Sequence, residues 1–265
     1  MKNEIFNGQR FCNWFKYDII QMWRTQMKTA LGTGLAGLVF YAIVVLFNLV
    51  VEREWSGPSL DSRVLVCFIA FTVLELRQTR TYGFLTDKAK GSAWLMAPAS
   101  TLEKWTGMLL MTLIVFPVLF LVSYLGVDWL LCTIDHTCGE SLILGASNAI
   151  AEVNTELATQ GEFLGWGIVI WFLISSTFLN FVYFLLCGIC FKKNKILWGL
   201  AIIFVVSMAS SALSVVIFGH GGNVDVNITN VEDFRAMMAN FSILMTVVTV
   251  ALAGGVFYRL KTIKH

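Results

Sequence analysis

The stretch Thr29–Val51 reads TALGTGLAGLVFYAIVVLFNLVV and contains no charged residue. A helix needs about 20 predominantly apolar residues to cross the roughly 30 Å hydrocarbon core of a bilayer, and this stretch supplies them. The whole chain has the same character, because 57% of its 265 residues are hydrophobic and only 14% are charged. Soluble domains carry about 25% charged residues. We therefore predict an all-α integral membrane protein, with residues 1–265 in a single transmembrane domain.

Six apolar segments predict six transmembrane helices, at about 29–51, 62–80, 105–127, 164–191, 196–218 and 241–259. Spans in lipid are expected to be helical, because every backbone polar group must be bonded within the segment. The second span is the weakest, since only a short uncharged run separates Arg63 from Glu75. It can cross only if Arg63 extends to the membrane surface and Glu75 finds a polar partner inside the protein.

The positions of Lys and Arg predict the orientation. If the N-terminus is cytoplasmic and six spans follow, 16 of the 19 Lys and Arg residues lie on the cytoplasmic side. The three outside are Arg53, Arg63 and Arg235. Because cytoplasmic loops carry the excess of positive charge, both termini are predicted to be cytoplasmic. Removing the second span would reverse the side of the basic loop that follows it.

The two parts that flank the first and third spans have helical patterns of their own. Basic and polar residues recur along one face of residues 11–28, and aromatic and aliphatic residues recur on the other. This pattern predicts an amphipathic helix in the headgroup layer, with a cytosolic extension of the first span as the alternative. In the predicted external segment 128–163, apolar residues from Ile143 to Leu157 predict another amphipathic helix.

The external segment 128–163 also carries two cysteines. Cys132 and Cys138 lie close in sequence on the side of the membrane where a disulfide can persist. A disulfide between them is one interpretation, and two free thiols are the other.

No sequence motif predicts chemistry on this chain. The motifs G-x-x-x-x-G-K-[ST], H-E-x-x-H and G-x-S-x-G are all absent, so we predict no catalytic residue, no metal site and no cofactor of its own. A nucleic-acid partner is not expected either. Glu75 is the only acidic residue within a predicted span, which disfavours an ion-coupled carrier. With Arg77 and Arg80, it is predicted to form a polar knot at the cytoplasmic end of the second span.

Small polar residues interrupt the fourth and fifth spans. Asn180 lies in the fourth span, and Ser207, Ser211 and Ser214 lie close to one face of the fifth. Hydroxyl and amide side chains in lipid most often hydrogen-bond between packed helices. These residues therefore predict a helix-packing surface or, as the alternative, part of a substrate path.

The longest predicted cytoplasmic loop ends with residues 93–104, AWLMAPASTLEK. Pro98 ends any helix that precedes it, because proline lacks the backbone N–H. Ser100 or Thr101 can then cap a new helix that has Glu103 in its first turn. The residues alone leave two interpretations, an ordinary turn between spans or a surface for contact with another protein.

The string Leu95–Ser100 followed by Leu102–Lys104 resembles the LPAS-x-x-EK segment of ABC-2 type transporter permeases from the Bacteroidota. Those permeases are chains of similar size with six spans and a basic C-terminal end, such as Tyr258–Lys261 here. The motif covers about ten residues, and this chain has Ala97 where leucine is common.

The resemblance implies an ABC-2 exporter-like fold in the bacterial inner membrane, with residues 11–28 as the connecting helix. It implies that the permease pairs with a second copy or a paralogue and recruits cytosolic ATPase subunits, which hold ATP and Mg. A helix in the loop would dock on each ATPase and transmit its closure. The residues implied in this coupling are Ala93, Trp94, Leu95, Met96, Pro98, Ala99, Ser100, Glu103 and Lys104.

Two other functions stay open on the residues alone. One is a non-transporting membrane anchor or regulatory subunit. The other, less in keeping with the few charges inside the spans, is an ion-coupled carrier. For an exporter, spans nearly free of charge favour lipophilic or amphipathic cargo, and the sequence predicts nothing narrower.

Overall fold

The computed structural model describes residues 6–86, 88–159, 166–219 and 231–263, with side chains described for all of these but 25, 88–90, 93, 156–159, 209–219, 231 and 233. Regular structure in the described residues is entirely helical, without a strand, so the all-α prediction is confirmed. The chain divides into two compact units, residues 1–76 with 98–161 and residues 77–97 with 162–265.

The first unit begins with a nearly continuous helical run. Its elements are α1 (Gly8–Met22), a π-helical turn (Trp23–Met27), α2 (Lys28–Gly34) and α3 (Ala36–Val51). The Asn7 side chain starts α1 by accepting hydrogen bonds from the backbone N–H groups of Gln9 and Arg10, because the first N–H groups of a helix have no partner within it. Because these elements follow one another directly, the predicted helix at 11–28 and the predicted span at 29–51 join without a loop.

The other five predicted spans each overlap helical residues among the remaining elements. These elements are, in order, α4 (Leu60–Thr81), a 3-10 turn (Gly83–Thr86), α5 (Lys88–Leu95), α6 (Thr101–Leu110), a π-helical turn (Met111–Val115), α7 (Phe116–Ile134), a 3-10 turn (His136–Cys138), α8 (Leu142–Thr159), α9 (Trp166–Cys190), α10 (Lys195–Gly219) and α11 (Val231–Thr262). Residues 164 and 165 of the fourth predicted span lie outside the described residues. Helix α8 confirms the helix predicted between the third and fourth spans.

Four helical runs in the described residues are long and apolar enough to cross a membrane. They are Lys28–Val51, Thr101–Ile134, Trp166–Cys190 and Phe234–Thr262. Within the described residues α10 contributes a shorter apolar helix, Lys195–Met208. Helix α4 has 22 residues and a length of about 33 Å, but it carries several charges. Several apolar helices thus indicate a membrane protein, and the six-span arrangement stays a prediction.

The placement of Arg63 on α4 differs from its prediction. Its side chain does not extend to a surface, because the residue is only 5% exposed and Nη1 lies 2.8 Å from Asp128 Oδ1 on α7. The condition that this arginine extends to the membrane surface is therefore not met. A carboxylate within reach compensates the guanidinium charge inside the protein, which removes the need for contact with water.

The core of the first unit lies along α7. Phe116, Phe120 and Tyr124 are at most 1% exposed, and the rings of Phe120 and Tyr124 stack with their centroids 5.6 Å apart. Helices α2 and α3 pack on α7. The approach is closest at Gly34, where an added Cβ would lie 1.8 Å from Ser123 Oγ.

Helix α9 is the centre of the second unit and packs against both α10 and α11. Phe181, Leu185 and Ile189 on α9 have no exposed surface. An added Cβ on Gly188 would lie 2.4 Å from the backbone oxygen of Thr79. The end of α4 and the end of α9 therefore approach each other main chain to main chain.

Candidate functional site

The start of α6 is fixed by a capping box. The Ser100 hydroxyl oxygen accepts a hydrogen bond from the Glu103 backbone N–H at 3.2 Å, and the Ser100 backbone N–H donates to Glu103 Oε2 at 2.8 Å. These bonds satisfy two backbone groups that a helix terminus otherwise leaves unpaired. The helix cap predicted at Ser100 or Thr101 is thus confirmed at Ser100.

Glu103 also holds α1 against α6. Arg10 Nη2 lies 2.7 Å from Glu103 Oε1 and Arg10 Nε lies 2.9 Å from Oε2, the bidentate geometry that guanidinium and carboxylate groups favour. The backbone N–H of Asn7 donates to Oε1 at 2.8 Å. Glu103 has no exposed surface, so both carboxylate oxygens are engaged inside the chain. We call this pair the Arg10–Glu103 clamp.

The contact between α1 and α6 is close beyond the clamp. The Trp14 ring covers Gly107, where an added Cβ would lie 2.2 Å from Trp14 Cζ3. Asp18 and Met22 follow Trp14 at four-residue spacing on the same face of α1, and all three residues are buried. The packed face is not apparent in the sequence because an aspartate stands in its middle. The four-residue spacing of these three residues is the sequence feature that marks this face.

Lys104 follows Glu103 and is also buried, with 6% of its surface exposed. The two charged residues of the motif therefore present almost no surface to another protein. Any part they take in coupling is indirect, through the position of the start of α6.

The second unit contains the N-terminal half of the predicted coupling segment. Helix α5 rests on the 3-10 turn Gly83–Thr86. Trp94 is 3% exposed, and its ring meets that of Tyr82 edge-on with centroids 6.1 Å apart. Leu95 is half-buried, and the side chain of Ala93 lies outside the described residues.

Met96, directly after α5, is an accessible residue of the predicted coupling segment. It is 82% exposed, more than any other large hydrophobic residue in the described part of the chain. It lies outside the four apolar runs, where exposure to lipid is expected. Pro98 is exposed as well, whereas Ala99 and Ser100 are half-buried. An accessible methionine of this kind suits contact with another protein.

The residues of the predicted polar knot are spread along the end of α4. Glu75 is 8% exposed and belongs to the first unit. Arg77 is half-buried and Arg80 is exposed, and both belong to the second unit. A single cluster of the three stays a prediction.

The predicted substrate path is described in part. Ser207 is exposed, and its hydroxyl donates to the Phe204 carbonyl of the same helix at 2.9 Å. Asn180 on α9 is half-buried. The side chains of Ser211 and Ser214 lie outside the described residues, and the path stays a prediction.

A second polar cluster, missed in the sequence, surrounds Arg63 in the first unit. Besides the ion pair with Asp128, Nη2 donates to the carbonyls of Cys138 and Glu140 at 2.9 and 2.7 Å. The Tyr124 hydroxyl donates to the Arg63 carbonyl at 2.9 Å. The cluster ties the start of α4 to the end of α7 and to the segment that follows it.

Asp135, at the end of α7, accepts a convergent set of hydrogen bonds. Its donors are the Tyr41 hydroxyl, the Trp55 indole at 3.1 Å, and the hydroxyl and backbone N–H of Thr137 at 2.7 and 3.0 Å. Burial alone would raise the pKa of this carboxyl, but the hydrogen bonds stabilise the carboxylate and lower the pKa to about 2. Asp135 therefore ties α3 and the loop after it to the end of α7.

The two cysteines of the external prediction lie side by side. Cys132 and Cys138 are free thiols in this structure. Cys132 Sγ lies 2.9 Å from Arg63 Nη1. Burial, with a contribution from the neighbouring Cys132 thiol, raises the pKa of Cys138 to about 12. A disulfide between the two stays a prediction.

No known protein family, no characterised protein and no solved structure matches this chain. Within the described residues, no group of three or more His, Cys, Asp or Glu side chains is placed to hold a metal ion. Each unit therefore offers a candidate of its own, the Arg10–Glu103 clamp in the first unit and the exposed Met96 in the second.

Proposed function

We propose that this chain is the transmembrane subunit of an ABC-2 type exporter, driven by ATP that separate cytosolic subunits hydrolyse. The proposal comes from the resemblance of residues 95–104, and the observation that carries it furthest is the 82% exposure of Met96. In this proposal Met96 is the apolar contact on the ATPase. Binding surfaces commonly use methionine because its unbranched side chain adapts to the partner.

The proposal includes six spans in the bacterial inner membrane, both termini in the cytosol, and pairing with a second copy or a paralogue. Helices at all six predicted positions support it, four of them long and apolar enough to cross. The bias of Lys and Arg toward one side of such a topology supports the orientation.

In the proposed mechanism, a displacement of the loop reaches the membrane through α6. The capping box and the Arg10–Glu103 clamp hold the first turn of α6, where an unsupported helix end would fray. The helix continues through its π-helical turn into α7 as one run, Thr101–Ile134. A displacement of the loop is therefore transmitted to the whole run Thr101–Ile134. Helix α1 moves with it because the clamp joins α1 to α6.

A test coexpresses the full chain with a candidate cytosolic ABC ATPase from its source organism. Met96→Asp is expected to weaken ATPase binding by about thirtyfold or more, because an apolar anchor is replaced by a charge. Ile134→Asp is the matched control, since Ile134 is 79% exposed and lies at the far end of the run Thr101–Ile134, away from the loop that carries Met96. Unchanged copurification and ATPase stimulation with Met96→Asp would contradict the docking role, as would an equal loss with Ile134→Asp.

The orientation has its own test. Ser92→Cys, in a chain whose six native cysteines are replaced by serine, is expected to react with an impermeant maleimide only after the cells are opened. Labelling in intact cells would contradict the proposed topology. A chain that keeps this topology and binds no ATPase would favour the anchor or regulatory subunit instead.

A further inference from the structure

A wide groove in the second unit combines positive charge with an apolar floor. Its volume is about 1070 Å³, and it is lined by the end of α4, the 3-10 turn Gly83–Thr86 and the first turns of α10. Three of the lining residues, Arg80, Lys192 and Lys195, are basic. Among the described residues that line it, no carboxylate offsets these charges.

Lys195 builds one wall of the groove. Its ammonium group donates to the Gly83 carbonyl and to the Thr86 hydroxyl, the latter at 3.0 Å. These bonds join the 3-10 turn to the start of α10. An added Cβ on Gly83 would lie 2.8 Å from Lys195 Nζ, the flexible end of that side chain.

Arg80 and Lys192 supply the accessible charge. Both are exposed, and neither takes part in an ion pair recorded within the described part of the chain. Lys192 lies in the short turn between α9 and α10. Asn194 completes that turn with a φ of 49°, a left-handed conformation that asparagine tolerates.

The floor of the groove is one face of α10. Leu197, Leu200 and Phe204 follow one another at helical spacing and are 64%, 47% and 65% exposed. From Lys195 to Phe204 the helix rises about 14 Å. That length is close to the hydrocarbon depth of one leaflet, about 15 Å. Charge at one end and an apolar strip of this length match an amphiphile with an anionic head.

We propose that this groove binds an anionic phospholipid of the adjacent leaflet, with its phosphate near Arg80 and Lys192 and an acyl chain along α10. Basic pockets between membrane helices recognise anionic headgroups in this way. A free phosphate would use the cations but leave the apolar strip uncovered. The site goes beyond the proposed exporter function and does not require transport.

The test measures lipid retention by the full-length protein. The protein is taken from nanodiscs that contain equal phosphatidylglycerol and phosphatidylcholine into mild detergent, and bound lipids are counted by native mass spectrometry. Wild type is expected to retain phosphatidylglycerol preferentially. Arg80→Gln with Lys192→Gln is expected to lower that preference by about 25-fold, since each cation near an anionic surface contributes about fivefold. Lys193→Gln is the matched control, because Lys193 is exposed and does not line the groove.

Equal retention of the two lipids by wild type overturns the proposal, as does an unchanged preference in the double variant. An equal loss with Lys193→Gln also overturns it, because the effect would then be diffuse surface charge. Ala201→Phe fills the floor without changing charge and is expected to reduce retention of phosphatidylglycerol; it keeps the test decisive if the double variant does not fold. Displacement of the lipid by inorganic phosphate would make this a small-anion site and overturn the lipid assignment.

Discussion

Arg63 Nη1 lies 2.8 Å from Asp128 Oδ1, and the two residues are only 5% and 7% exposed. Two charges have thus been removed from solvent together, within the first unit. The attraction between them offsets a large desolvation cost only while both are present. Loss of one partner should therefore be more harmful than loss of both.

Asp128→Asn is expected to lower the free energy of unfolding by about 3–5 kcal/mol, because it leaves the Arg63 guanidinium buried without a counter-charge. The double variant Arg63→Gln with Asp128→Asn should lose much less than the sum of the single losses. Thermal unfolding in detergent measures both. Asp61→Asn is the control, because Asp61 is exposed on α4, the helix that carries Arg63. It should change stability by less than about 0.5 kcal/mol. Additive losses would contradict the coupling.

The two residues of the Arg10–Glu103 clamp should contribute unequally to the free energy of unfolding. Glu103→Gln is expected to lower stability by about 2 kcal/mol, since it removes the buried charge that accepts several hydrogen bonds. Arg10→Gln should cost more, about 3 kcal/mol, because it leaves the Glu103 carboxylate, which has no exposed surface, without its counter-charge. Hydrogen exchange of α1 and thermal unfolding report the effect. Lys16→Gln, exposed on α1, is the control; a Glu103→Gln protein that behaves like it would refute the clamp.

The close approach of Trp14 to Gly107 predicts a steric effect. Gly107→Ala is expected to lower stability by about 1–3 kcal/mol, because the new methyl group overlaps the Trp14 ring. Gly126→Ala is the matched control on the same helical run, where an added Cβ meets nothing within 4 Å; it should be neutral or slightly stabilising. In a Trp14→Phe background, Gly107→Ala should cost less. Equal effects of the two glycine substitutions in the wild-type background would rule out the contact.

Asp135 predicts a loss of stability in acid. Its pKa is about 2 in the folded protein and about 3.9 in an unfolded chain. A lowered pKa stabilises the fold fully above the unfolded value, and the contribution disappears as the pH falls from about 4 to 2. Tyr41→Phe removes one donor and should make this loss smaller, and Asp135→Asn should remove it. Thermal unfolding at pH 6, 4 and 3 checks the trend, and an unchanged acid loss in Asp135→Asn would assign it to another group.

Cys138 should resist alkylation in the folded protein. It is 5% exposed and its pKa is raised to about 12, and the thiolate is the reactive form of cysteine. Under reducing conditions at pH 7, Cys12, which is exposed, should react with maleimide much faster. Mass spectrometry of the digested protein separates the two sites. Equal rates would contradict the burial of Cys138, and purification without reductant distinguishes a disulfide with Cys132 from two free thiols.

Features that depend on nearby residues could be predicted from the sequence. The helices follow from the lengths of apolar runs, because a helix satisfies its backbone within the segment. The cap at Ser100 was predictable too, since its partner Glu103 is three residues away. For α4 the apolar run is too short to settle whether it crosses the membrane. Nearby residues also do not show where its charged side chains find partners.

Pairings between distant segments could not be predicted. Arg63 and Asp128 are 65 residues apart, and Arg10 and Glu103 are 93 apart. Each pair exists only because two helices pack in a particular rotation, and hydropathy does not encode that rotation. For the same reason the sequence does not show that Glu103 is buried against Arg10 of α1.

Glu103 and Asp128 stand toward opposite ends of one helical run, with the π-helical turn Met111–Val115 between them. A π-helical turn accommodates one residue more than a regular α-helical turn, and each residue of a regular helix advances the direction of the side chains by about 100°. Deletion of one residue within the turn would therefore leave both ends in their present angular phase. Deletion of one residue from the regular α-helical parts, with the π-helical turn retained, would rotate one end against the other and separate one of the two ion pairs. One residue can therefore be deleted from this turn without rotating one end of the helix relative to the other.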